Sequence, residues 1–63
     1  MTLDALQNTL HEAGWSTGDQ ATLENGHLVW HVYCHRDAHS LVAKGLSRLE
    51  AWRAAVKMAR ELN

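Results

Sequence analysis

Five histidines and one cysteine are the side chains of this 63-residue chain best suited to hold a metal or move a proton. Four of the histidines, His27, His31, His35 and His39, recur at every fourth position. On a helix that spacing stacks side chains on one face, where they can share a metal ion. On a strand it sets neighbours roughly 13 Å apart, at about 3.3 Å per residue. Two imidazoles at that separation cannot share a zinc ion whose bonds are about 2 Å long. The run HLVWHVYCH is rich in β-branched and aromatic residues and follows an Asn-Gly pair, so it reads as a strand. Three of the histidines, His27, His31 and His35, then line one open sheet face. Cys34, His35 and His39 gather near a later turn, but Cys34 and His35 point to opposite faces and no paired-cysteine motif accompanies them. No metal and no cofactor is expected.

Covalent chemistry has little to work with. There is no phosphate-cradling glycine loop and no serine nucleophile motif. Cys34 beside a histidine could form a nucleophile–base pair, but alternation turns Cys34 toward the core, where thiols are usually inert. The carboxylates are scattered, and the chain is expected not to be an enzyme. A single cysteine precludes an internal disulfide and fits a reducing compartment. Asp4, Glu12 and Asp19 interrupt the first twenty residues, and no apolar run approaches the roughly 20 residues of a membrane span. A cytoplasmic location and no membrane contact are expected.

These side chains need elements to position them. Leu3, Leu6, Leu10 and Ala13 recur at helical spacing, with Thr2 as N-cap and Gly14 as stop. Residues 15–19 read as a loop. Asn25-Gly26 signals a type I′ hairpin that places Glu24 opposite His27 and Leu23 opposite Leu28. Ala21, Leu23, Leu28, Trp30, Val32 and Cys34 then share the core face. Arg36-Asp37-Ala38 is a second turn, and a third strand runs from His39 to Lys44, with Leu41 and Ala43 inward and Gly45 at its end. Ser47 and Glu50 form a capping box for a helix reaching about Leu62, with Leu46 placed to staple against Ala51. Leu49, Trp52, Ala55, Val56 and Ala59 make its buried stripe. The expected fold is a single α+β domain over residues 1–63, α-β-β-β-α: a three-stranded antiparallel sheet with both helices packed on one face. Trp15, Trp30 and Trp52 would anchor the core.

The run Gly45-Leu46-Ser47-Arg48-Leu49-Glu50-Ala51-Trp52-Arg53-Ala54-Ala55 resembles the start of the final helix of double-stranded-RNA-binding domains, whose pattern there is G-x-S-K-K-x-A-K-x-A-A. Gly45, Ser47, Ala51, Ala54 and Ala55 match, and the element order is similar along the whole chain. The resemblance implies a fold like theirs. It also implies phosphate contacts at the helix start, where Arg48 keeps a cation and Leu49 and Trp52 replace two lysines. The family's hairpin reaches the minor groove; Asn25-Gly26-His27 is a tighter turn. The stretch Gly45 to Trp52 is also similar to small uncharacterised phage and bacterial proteins that end in a strand, a glycine and a helix opening S/T-x-x-E-A-W.

Two functional expectations follow. The first is a non-enzymatic interaction module using the open sheet face around Val29, His31, Tyr33 and Val42 to bind a protein partner or a second copy. The second is double-stranded RNA binding through Lys44, Arg48, Arg53 and His27. The formal net charge is -1 with neutral histidines, whereas nucleic-acid binders are usually basic. Protonating all five histidines would bring the charge to +4.

Overall fold

The computed structural model describes residues 1–62. Its elements run α1 (Leu3–Glu12), β1 (Ser16–Glu24), β2 (His27–Arg36), β3 (His39–Gly45) and α2 (Arg48–Glu61). The strands form one antiparallel sheet in the order β1-β2-β3. Both helices pack on the same face of it, α1 against β1 and α2 against β2 and β3. This is the α-β-β-β-α arrangement expected from the sequence.

Local chemistry sets the boundaries. The Ala5 amide donates to Thr2 Oγ1 at 3.2 Å and the Glu50 amide to Ser47 Oγ at 3.2 Å, so each helix starts on a capping hydroxyl. Asn25 and Gly26 take φ values of 50° and 81°, the left-handed pair that a type I′ turn requires. That turn fixes the register: Glu24 faces His27 and Leu23 faces Leu28. With the register set, alternation sends Val32 and Cys34 of β2 and Leu41 and Ala43 of β3 toward the helices. Leu6 and Leu10 from α1 meet them, as do Ala51, Trp52, Ala55, Val56 and Ala59 from α2. Each large apolar side chain removed from water here contributes about 1.5–3 kcal/mol. Trp15 is buried, with the Arg36 guanidinium 4.4 Å above its ring, while Arg36 Nη1 donates to the Ala13 carbonyl at 2.9 Å.

The structure departs from the sequence reading in three places. Residues 16–19 were expected in a loop but begin β1, because Ser16 through Asp19 find partners from His35 back to Val32 on the longer β2. Leu23 and Leu28 lie on the expected face but are 73% and 56% exposed. The reason is length. The 10 residues of β2 extend about 33 Å, whereas the 14 residues of α2 extend about 21 Å, so the hairpin tip runs out from under the helices. Leu46 is 74% exposed and makes no staple, and Leu49 is only partly buried. Ala51 packs against Gly45 instead. A Cβ on Gly45 would sit 2.5 Å from the Ala51 amide nitrogen, so the missing side chain lets the first turn of α2 settle onto the end of β3.

Gly45→Ala should therefore cost about 1–3 kcal/mol, the usual range for overpacking. Gly18→Ala should cost nothing and gain up to about 1 kcal/mol, since a Cβ there meets nothing within 4 Å. Urea midpoints of the two variants check the contrast.

Candidate interaction surface

Among the described residues no layer covers the face of the sheet turned away from the helices, and three cross-strand arrangements shape it. At its centre Tyr33 lies between Gly18 on β1 and Val42 on β3. Gly18 offers no side chain, so the Tyr33 ring stands clear at 43% exposure with Val42 exposed beside it. A trough of about 340 Å³ crosses the strands here, bordered by Gly18, Tyr33, His35, Ser40 and Val42. His35 and Ser40 close its end through a contact of 3.0 Å between Nδ1 and Oγ.

Beside the trough, His31 is only 9% exposed although it lies on the open face. Gln20 and Lys44 flank it across the strands, and its ring stacks on Tyr33 at 6.4 Å between centroids. Its Nε2 lies 2.9 Å from Thr22 Oγ1 and 3.1 Å from Glu24 Oε2. The Thr22 hydroxyl already donates to Glu24 Oε2 at 2.9 Å. Its oxygen can then only accept from His31, so Nε2 carries a proton shared between threonine and glutamate. The Thr22 hydrogen bond holds the Glu24 carboxyl below its ordinary range, with help from His31 and Lys44. His31 thus supports the surface rather than presenting itself on it. Val29 is partly buried, and Tyr33 and Val42 are the contact residues of the expected set that reach solvent.

The residues expected to meet RNA are divided between surfaces. Lys44 pairs with His31 on the open face. Arg48 opens α2 on the covered side and is already engaged: its Nε donates to Asp19 Oδ2 at 2.6 Å and its guanidinium lies 5.7 Å from the Trp30 ring centre. Trp52 Nε1 donates to the same carboxylate oxygen at 3.1 Å. The Arg48 hydrogen bond, aided by Trp52, holds the Asp19 carboxyl below its usual value. Arg53 is exposed along α2, and His27 is exposed at the hairpin tip. The Asp19–Arg48–Trp52 cluster escaped the sequence reading because Asp19 was assigned to a loop; extending the alternation two residues back from Ala21 would have put it on the helix side.

Cys34 is buried, and burial pushes its thiol pKa up, which keeps it protonated and unreactive. Among the described residues no group of three or more His, Cys, Asp or Glu is placed to hold a metal ion, and no helix is long and apolar enough to cross a membrane.

Both lowered carboxyls, Asp19 and Glu24, stabilise the fold when ionised, so their contribution is complete above their unfolded values and disappears as pH falls through the lowered folded ones. Stability should therefore decline on acidification below about pH 4.5. Asp19→Asn should lose about 1–3 kcal/mol at pH 7 and then decline less steeply in acid. Urea unfolding at a series of pH values reads both effects. Compared with known proteins, the chain matches no protein-family model, no curated protein and no solved structure.

Proposed function

We propose that this chain is a small non-enzymatic interaction module that binds a protein partner across its open sheet face. The observation that carries the reading is Tyr33, an aromatic ring raised beside Gly18 and joined by exposed Val42 above a shallow trough. Tyrosine with one apolar body and one polar tip is the kind of side chain that anchors protein interfaces. The hydrogen-bonded Thr22–Glu24–His31 group stiffens the strand surface next to it, which lowers the ordering cost of binding.

Double-stranded RNA binding is the second reading. The element order and the exposed cations Arg53, Lys57 and Arg60 along α2 support it. It ranks lower because Arg48 is neutralised by Asp19 and Lys44 faces the other side of the sheet.

Affinity capture with wild-type and Tyr33→Glu chains separates the readings. A partner retained by the wild type and lost by at least tenfold with Tyr33→Glu is expected, since removing an interface anchor costs 2 kcal/mol or more. Equal retention by both chains overturns the open-face reading. A titration with a short RNA duplex at low salt is expected to leave amide resonances unmoved; shifts along α2 that are reversed by added salt would put RNA first.

A further inference from the structure

We infer that the outer edge of β3 is a self-association surface, on which a second copy of this chain adds its own β3 antiparallel to form a continuous six-stranded sheet. The inference concerns the edge of β3, which adjoins the open-face trough at Ser40 and Val42, and it stands without the reading of that trough.

Three observations converge on this edge. β3 is an outer strand of the sheet, so the backbone amides and carbonyls on its free side have no strand partner. A groove of about 400 Å³ runs along that edge, lined by Ser40, Leu41 and Val42 of β3 and by Met58, Glu61 and Leu62 of α2. Its lining comes from β3 and the end of α2, with none from β1 or β2, so the groove lies at the outer side of β3. Met58, Leu62 and Val42 are all among the exposed large apolar side chains. An unpaired strand edge calls for another strand, and an apolar groove beside it calls for apolar side chains on that strand.

The β3 sequence is complementary to itself. A two-fold axis at Val42 sets Val42 against Val42 of the second copy, Leu41 against its Ala43, Ser40 against its Lys44 and His39 against its Gly45. Apolar residues meet apolar residues on both faces, and Lys44 meets a hydroxyl rather than another lysine. Such an isologous pairing closes at two copies. It also brings the last turn of α2, with Met58 and Leu62, toward the same turn of the second copy. The other outer strand fits this role less well: apart from Ala21 and Leu23, β1 is polar or glycine along its length. With one strand and two helix side chains per copy, the interface falls at the small end of specific contacts, below about 1,200 Å² in total. A reversible equilibrium is expected.

Sedimentation equilibrium between about 10 µM and 1 mM should show monomer passing to dimer. Met58→Glu, an exposed change on α2, should weaken the dimer by about tenfold or more. Ser40→Lys should weaken it and Ser40→Glu should tighten it, each by up to about tenfold, because position 40 faces Lys44 of the second copy at two symmetric places. Opposite responses from one position cannot come from a general loss of folding, and circular dichroism confirms that each variant is folded. Tyr33→Glu should leave the dimer in place while abolishing partner capture, so the two readings fail separately. A chain that stays monomeric to 1 mM overturns the inference. So does a dimer that ignores Met58→Glu and both changes at Ser40.

Discussion

A carboxylate on the covered face of a sheet has to be satisfied there, and Asp19 meets that demand with Arg48 and Trp52. Much of the remaining architecture depends on this contact. α2 packs over β2 and β3, yet its first turns send two long side chains across to β1, passing the Trp30 ring on the way. The start of α2 is therefore tied to the far strand by charge. It is tied to the near strand by the absence of a side chain at Gly45. A helix fixed at its N-terminal end by both devices has little freedom in where its other end falls. That end lies beside β3, with Met58 and Leu62 turned toward solvent along the edge. The same contact removes Arg48 from the pool of free surface cations. The position that most resembles a phosphate contact in sequence is thus occupied by the fold's own electrostatics.

The elements that were legible in the sequence are those fixed by short-range chemistry. Asn25-Gly26 dictates a turn, the turn dictates register, and register dictates which of Val32, Cys34, Leu41 and Ala43 face inward. Ser47 as a helix cap is equally local. What escaped was set by partners distant in sequence. Ser-Thr-Gly-Asp has weak strand propensity, and it becomes strand because β2 is long enough to pair with it. Tertiary pairing outweighs propensity there. Leu23 and Leu28 show a different limit. Alternation assigns their face correctly, but whether that face is covered depends on how far the helices reach, a comparison of lengths between separate elements.

The histidines illustrate how far spacing alone carries an argument. Their four-residue period suggests a shared role only until the segment is recognised as a strand. In the structure two of them take separate partners: His31 holds Thr22 and Glu24, and His35 meets Ser40. His11, outside the series, meets Thr17 at 2.9 Å. Each is a local hydrogen bond between neighbouring elements. The burial of His31 could not be read from the period, since it comes from the side chains of both flanking strands closing over a central position. That burial matters to the candidate surface. It turns what the sequence suggests is a row of contact residues into a rigid support for one of them, Tyr33.

Apart from Met1 and Leu46, which lie outside the helices and strands, the exposed large apolar residues fall in three places: Leu23 and Leu28 at the hairpin tip, Tyr33 and Val42 on the open face, and Met58 and Leu62 at the β3 edge. One cause accounts for all three. Two helices of 10 and 14 residues cannot cover both faces, both ends and both edges of a three-stranded sheet. A chain this short buries only about 60% of the surface it exposes when unfolded. A larger domain would add a helix over the open face and a strand at the edge. Here the Thr22–Glu24–His31 hydrogen bonds and a single lysine make parts of the uncovered sheet compatible with water, and the remaining apolar positions stay exposed. The limit on the domain's buried core and the exposure of these side chains thus share one physical origin. The sheet is larger than the cover its two helices provide, and the apolar positions beyond that cover are the ones that stay exposed.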